Sequence, residues 1–550
     1  MLDSITLKFT DSPDLVLPTA GITVFVGPNN AGKSLILKEL EEAFNVHPFP
    51  TGLKILLDYE VAWPAKSSIE GSLKQFDSLQ DSSIPEGYIA LGRIHPNEGR
   101  QSQQFDKNQI LQMGASASDK RWWTTQFLRW GVIRLDGRSR FNLTNDRPGG
   151  DLLGPPANVL AHLFQNGPAR KKVREFVFDA FGLNLTIDPT NLGQLRIRLS
   201  TDKLPRDEQS LGQVAREFYA KALHIKDSSD GVQAFTGIII AVTATDFHTI
   251  LVDEPEAFLH PPLARKLGKH LASIAVQRKG SLMASTHSAD FLMGCVQASK
   301  NVRVVRLEHS KGKSRGKMVD PQQLESMLKR PLMRSANVAS ALFHDGIIVT
   351  ESDNDRAFYS EIYYRLSEKN GNYPSVLFVN AQNKQTIKDI IGPLRHFGVP
   401  AAAIPDVDIV KDGGQVWTDW LEVAQIPSAL RPGYAVQRDQ IKKCFEATGR
   451  DMKRDGGVGI LGASDKQAAN QLFDTLADHG VFVVRRGEVE NWLPGLRIPG
   501  KKTEWTVAML ERMGSDPAGS NYVRPTTGDV WDFIRDIVSW IQNASRKGMT

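Results

Sequence analysis

Gly27-Pro28-Asn29-Asn30-Ala31-Gly32-Lys33-Ser34 decides how the first half of this chain is read. An apolar run, residues 22–26, leads into it, and an amphipathic pattern, residues 33–44, leads out. The eight residues therefore make a turn from a strand into a helix. Glycines let backbone N–H groups curl around an anion, and the helix N-terminus adds positive potential. In this spacing Gly27, Asn29, Asn30 and Gly32 would cradle a triphosphate. Lys33 would neutralise charge on the β- and γ-phosphates, and Ser34 would ligate Mg²⁺.

A second element fits the same chemistry. His248-Thr249-Ile250-Leu251-Val252-Asp253-Glu254 is an apolar strand ending in two acids. Acids at the end of a buried strand are costly unless they meet a cation. Asp253 is placed to hold Mg²⁺ through water, and Glu254 to orient and deprotonate an attacking water. Ser285-Thr286-His287-Ser288 follows the next short strand, where His287 can hydrogen-bond a γ-phosphate. Ser229-Asp230-Gly231-Val232-Gln233 precedes the helix that leads to the Asp253 strand.

Together these stretches resemble the ATP-binding-cassette ATPases. There, a Ser-x-Gly-x-Gln-like signature from one protomer caps ATP held by another. The resemblance thus implies ATP as ligand, Ser229 and Gly231 as nucleotide contacts in trans, and a homodimer or larger assembly through this half. Asp230 stands where the signature usually has glycine, and the long insertion at 46–223 leaves no glutamine loop assignable. Residues 256–261 (Glu-Ala-Phe-Leu-His-Pro) resemble the soluble DNA-maintenance and defence branch, with His260 a structural or dimer-contact residue.

The whole chain has 550 residues, room for about three domains. Its net charge of +5 permits nucleic acid as a partner without demanding it. No apolar run approaches the roughly 18 residues of a membrane span, which argues against a transporter and against a membrane partner. No signal-peptide pattern opens the chain. Only Cys295 and Cys444 are present, too few for a disulfide framework or a four-ligand zinc site, so a reducing cytoplasm is the expected setting. Residues 5–9 and 22–26 read as a strand pair. The basic run from Arg303 to Lys317 reads as a solvated hairpin. Trp123, Phe127 and Trp130 share a helix face and read as core, while Arg138 and Arg140 follow a strand and read by default as solvated arginines, with phosphate as the alternative.

After a candidate linker at 331–337, a βαβ rhythm restarts. Strands at 346–350, 375–379 and 401–404 alternate with helices at 355–366 and 384–397, and a later strand is expected at 480–485. The expected fold is α/β throughout: an ATPase domain over 1–335, a second parallel-sheet domain over 340–500, and a helical extension over 501–550.

In that second sheet, Ile347-Ile348-Val349-Thr350-Glu351-Ser352-Asp353-Asn354-Asp355 is a strand ending in acids. Ala401-Ala402-Ala403-Ile404-Pro405-Asp406-Val407-Asp408 is another. Parallel strands present their C-terminal ends on one edge, so the two acid groups converge. Clustered carboxylates repel, and divalent cations relieve that repulsion; hard oxygen donors favour Mg²⁺ or Mn²⁺ over zinc. The set Glu351, Asp355, Asp406 and Asp408 resembles, residue by residue, the Toprim domain of topoisomerases, primases and some nucleases. Ser352 replaces the usual glycine, and Asp353 reads as a helix N-cap. Residues 482–492 resemble the late acidic motif of Toprim nucleases, with Glu488 as a further metal ligand and Glu490 its alternate. Lys501 or Lys502 is a candidate for the scissile phosphate.

An ATP-binding-cassette ATPase followed by a Toprim domain resembles the OLD (overcoming lysogenisation defect) family, which includes the Gabija nuclease subunit and certain retron effectors. The resemblance spans about residues 5–492. It implies a metal-dependent endonuclease acting on DNA, controlled by nucleotide state, in bacterial defence against phage. It also implies a co-encoded protein or a retron RNA or DNA as further partners. A non-cleaving ATP-driven clamp is the alternative, against which the intact Glu351, Asp406 and Asp408 argue. A topoisomerase would need a nucleophilic tyrosine in a separate module, and Tyr363 and Tyr364 lie within an expected helix.

Overall fold

The computed structural model describes residues 2–62, 84–112, 117–137, 139–330, 333, 336–368 and 371–549. Arg138 and most of the candidate linker lie outside them. The chain divides into two compact units, residues 1–26 with 30–325, and residues 326–550 with 27–29.

The first unit is built on a six-stranded sheet in the order Lys313–Val319, Val302–Ser310, Gly21–Val26, Ser281–Ser285, Thr249–Asp253, Val132–Leu135. All neighbours are parallel except the hairpin of the first two strands. Thr249–Asp253 and Ser281–Ser285 are buried almost throughout, which is why they read as short apolar runs without alternation. The Asp230–Thr243 helix is apolar nearly all round and lies in the core. A Cβ on its Gly237 would stand 2.9 Å from the Arg140 carbonyl oxygen, so glycine lets the two segments approach. Trp123 and Phe127 pack with Phe105 and Leu91 in a smaller cluster, as their spacing predicts, with Trp130 partly buried beside them.

Two expectations are corrected here. Residues 5–9 and 22–26 are not a strand pair. Leu2–Leu7 pairs antiparallel with Leu15–Pro18 and Leu56–Val61 in a separate three-stranded sheet. Gly21–Val26 needs parallel neighbours on both sides to bury its continuous apolar run, and it finds them in the 281–285 and 302–310 strands. The basic run does form a hairpin, but Arg303 and Arg306 are buried. Arg303 donates to the Ala20 carbonyl and Arg306 to Glu308.

The second unit has a three-stranded parallel sheet in the order Val376–Asn380, Gly346–Thr350, Ala401–Ile404. Gly346–Thr350 and Ala401–Ile404 fall where the sequence puts them. The expected strand at 480–485 is reduced to two parallel bridges, Ala403 to Val481 and Asp406 to Val484. Pro405, which has no N–H, interrupts the ladder between them. The helices Asp353–Ser367 and Lys384–His396 connect the strands. The last two, Lys502–Met513 and Asp529–Gln542, complete the core with Trp505, Met509, Trp531 and Ile534 against Ile348 and Phe358. No described helix is long and apolar enough to cross a membrane.

Candidate active sites

In the first unit, Gly32 has φ 94 and caps the Lys33–Asn45 helix. That positive φ favours glycine, while the contact a Cβ would make, 2.5 Å from the terminal Cδ1 of Ile55, could be relieved by moving that side chain. Gly27 and Asn30 also have positive φ, 137 and 62, which gives the loop the curled backbone that phosphate binding needs. Lys33 is buried. Desolvation pulls its ammonium down to about 8, opposed by the charges of Glu254, Glu256 and Asp253. A lysine held in this way gains from an incoming anion more than a solvated one does.

Asp253 accepts a hydrogen bond from Ser285 Oγ across the parallel pair. Glu254 has φ 46, and its N–H donates to the Ser285 carbonyl at 3.0 Å. His287 Nε2 lies 3.6 Å from Glu254 Oε1, and burial and Lys33 hold the imidazole below its ordinary pKa, so it is neutral. Lys33, Asp253, Glu254 and His287 thus share one electrostatic neighbourhood. Ser229 is the N-cap of the 230–243 helix, and a Cβ on Gly231 would meet the Phe258 carbonyl at 2.8 Å. Gln233 donates to the Ser228 carbonyl at 3.1 Å.

Glu256 carried no role from sequence, and Arg140 is neither solvated nor aimed at phosphate. Glu256 accepts from Thr286 Oγ1 at 2.8 Å and from the His287 N–H at 2.6 Å, and so fixes the loop that presents His287. Arg140 is buried and donates to the carbonyls of Asp253, Glu254 and Ala257. It clamps the acidic turn from behind, so its guanidinium is not directed at phosphate. If Glu254 is the base, Glu254→Gln keeps nucleotide affinity and lowers ATP turnover by about 10²–10⁴-fold, measured as phosphate release. Turnover at the wild-type rate would move the base elsewhere.

In the second unit, Glu351, Asp406 and Asp408 each offer a carboxylate oxygen within 4.8 Å of the others. Glu351 follows the 346–350 strand and accepts from the Asp406 N–H at 3.0 Å. Burial and Asp406 push its carboxyl up to about 8. Burial raises Asp406 as well. Lys453 Nζ lies 2.5 Å from Asp406, and Lys384 Nζ 3.2 Å from Asp408 and 3.3 Å from Asp412. Asp408 Oδ1 is buried and has no hydrogen-bond partner among the described residues. Three converging hard oxygens and an orphaned buried carboxylate oxygen fit a divalent cation.

Asp355 is not within that triad. Ser352, not Asp353, is the N-cap of the 353–367 helix, and Asp355 closes the capping box by accepting from the Ser352 N–H at 2.9 Å. Burial and Asp406 push Asp355 up to about 7, so it senses the cluster. Glu488 is half-buried, and desolvation and Glu490 raise its carboxyl. Glu490 accepts from the Lys502 N–H at 2.9 Å, and Lys501 caps the last-but-one helix. Tyr363 donates to the Pro374 carbonyl from within a helix, a structural role.

Lys453 was missed by sequence. It reaches the acids because its loop packs on the late acidic turn: Cβ atoms on Gly457 and Gly487 would lie 2.0 Å from the carbonyls of Arg485 and Lys453. Asp406 raises the Lys453 pKa in turn. The pH consequence has a definite sign. Glu351 and Asp355 titrate higher folded than unfolded, so their contribution to stability is full at low pH and is lost as pH rises through about 7–8. In chelator, warming scans from about pH 5 to about pH 9 are expected to show a larger fall in melting temperature for wild type than for Glu351→Gln. Equal falls would mean the acid is not held protonated.

The family comparison matches this geometry. Residues 342–408 match the Overcoming lysogenization defect protein-like, TOPRIM domain model. The segment is an OLD-like Toprim domain. The match runs from just before the 346–350 strand through Asp408, and so takes in the whole acidic triad. Upstream, the phosphate-loop strand and the Asp253 strand lie in one parallel sheet, separated by the Ser281–Ser285 strand. Solved structures similar to the chain are Smc head domains. An SMC head bound to the C-winged helix domain of ScpA is 14% identical, with 59% of this chain and 99% of that one covered at TM-score 0.35. One from Pyrococcus furiosus, bound to the C-terminal domain of ScpA, is 12% identical, with 60% and 98% covered at 0.34. One from Thermotoga maritima is 11% identical, with 58% and 99% covered at 0.28. No curated protein matches the chain.

Proposed function

We propose that this chain is an ATP-regulated, divalent-metal-dependent DNA endonuclease of bacterial anti-phage defence, acting in the cytoplasm as a homodimer or larger oligomer. The convergence of Glu351, Asp406 and Asp408, with Asp408 Oδ1 buried and unsatisfied, carries this reading. It favours a working Toprim centre over a degenerate one in a passive clamp. Mg²⁺ or Mn²⁺ would be held by those three, with Asp355 and Glu488 adjoining. A bound divalent cation there supplies nucleophile activation and charge neutralisation at the phosphodiester.

The chain's own groups prepare that chemistry. Asp406 and Asp408 stay poised because Lys453 and Lys384 offset their charge. Glu351 is oriented by the Asp406 N–H. On the ATPase side, Lys33 and the 27–34 loop bind the triphosphate, Asp253 and Ser34 hold its Mg²⁺, and Glu254 takes the proton from water. His287, neutral and fixed by Glu256, would donate its ring N–H to a γ-phosphate oxygen. Ser229 and Gly231 would meet nucleotide held by a second copy, and so tie assembly to nucleotide state.

Plasmid nicking with Mg²⁺ or Mn²⁺, with and without ATP, tests the reading. Metal-dependent nicking whose rate changes with ATP supports it. Intact plasmid under every combination contradicts it.

A further inference from the structure

The loop after the Arg431–Ala447 helix fixes two neighbouring cations in different places. Asp451 Oδ1 accepts from the N–H groups of Lys453 at 2.9 Å and Arg454 at 3.3 Å, and Asp455 Oδ2 accepts from the Asp451 N–H at 2.9 Å. Asn491 Nδ2 donates to the Lys453 carbonyl at 2.7 Å, and the Val458 N–H to the Arg485 carbonyl at 2.9 Å. On this tied backbone Lys453 enters the acid pocket, 2.5 Å from Asp406, while Arg454, next in the chain, stays exposed.

Lys411 is a second exposed cation at this rim. It ends the Val407–Lys411 turn that carries Asp408. Among the described residues neither Lys411 nor Arg454 forms an ion pair. Their charges meet at Asp451, whose carboxylate is held below its usual range first by its two backbone N–H donors and then by Arg454 and Lys411. Arg454 acts on Glu488 as well, which also feels Asp406. The acids of the loop are already engaged, Asp451 with those two N–H groups and Asp455 with the Asp451 N–H and with Arg450 at 3.9 Å.

Resting on the nuclease reading above, we propose that Lys411 and Arg454 clamp DNA backbone phosphates adjoining the scissile one, without touching bases. A pocket of clustered carboxylates repels a polyanion, so a strand brought to it needs cations at the rim. Lys453 and Lys384 are committed to Asp406 and Asp408. Lys411 and Arg454 are not, and successive phosphates along one strand offer an anion to each. Arg454 presents a planar fork that suits phosphate oxygens, on a backbone fixed beforehand, which lowers the ordering cost of binding. Lys411 acts as a point charge.

The test titrates full-length protein with a short labelled duplex by fluorescence anisotropy, from about 50 to about 200 mM salt, with divalent ions chelated so that no strand is cut. Lys411→Ala/Arg454→Ala is expected to weaken binding about ten-fold and to reduce the salt slope by about two, equally for two duplexes of unrelated sequence and with unchanged melting temperature. Lys442→Ala/Lys443→Ala removes the same charge from the preceding helix, where these lysines pair with Glu446 at 3.6 Å and Asp439 at 2.9 Å. This control is expected to keep the wild-type slope. The proposal is overturned by no duplex binding in the wild type, by an unchanged slope in Lys411→Ala/Arg454→Ala, by an equal reduction in the control, or by a loss confined to one sequence. Wild-type plasmid nicking, run alongside, separates the two readings. Nicking with an unchanged slope sinks only the clamp, whereas a reduced slope without nicking sinks only the nuclease.

Discussion

In Glu351→Ala, DNA cleavage is expected to fall roughly a thousandfold or more while nucleotide binding stays at its wild-type level. Glu351 is the only member of the triad contributed by the 346–350 strand, so its loss opens one side of the cation pocket and leaves Asp406 and Asp408 to Lys453 and Lys384. The two lysines then act as internal counter-ions and keep the unit folded, which separates lost chemistry from lost structure. Plasmid nicking in Mn²⁺, read beside the melting curve and nucleotide affinity, checks all three. Retained cleavage would place the nuclease centre elsewhere.

Lys33→Ala should weaken nucleotide binding by about 10²–10³-fold, measured by titration with a fluorescent ATP analogue. The reason lies in what surrounds the ammonium. Lys33 is desolvated beside three carboxylates, Glu254, Glu256 and Asp253. Deleting the cation leaves those acids facing the triphosphate with nothing between, so repulsion adds to the lost ion pair. Lys33→Arg keeps the charge but not the compact head, and is expected to recover only part of the affinity. Normal affinity in Lys33→Ala would refute the assignment of the 27–34 loop to phosphate.

Much of this was legible because the decisive signals are local. A phosphate loop is a run of adjacent residues, and fully buried strands such as 281–285 and 401–404 announce themselves as short apolar runs. Acids placed directly after strands 346–350 and 401–404 converge because parallel strands end on one edge, which needs no knowledge of distant contacts. Partnerships across sequence were not legible. Residues 5–9 carry no mark that says they pair with 15–18 and 56–61 instead of 22–26. Lys453 comes from the loop after the 431–447 helix, and only the tight glycine contacts at Gly457 and Gly487 return it to Asp406. Arg140 looked like a solvated or phosphate-reaching charge and is instead the buried tie of the acidic turn, while Glu256, which carried no role from sequence, ties the His287 loop. The signal that could have found Glu256 is its spacing: a third acid two residues after Glu254, too close to the site to be idle.

The central claim, that Glu351, Asp406 and Asp408 form one cation pocket, is tested most directly by anomalous diffraction from crystals soaked in Mn²⁺. A manganese peak bounded by oxygens of those three carboxylates, with Lys453 displaced from Asp406, is the predicted result. Manganese elsewhere, or none while Lys453 stays on Asp406, would contradict it.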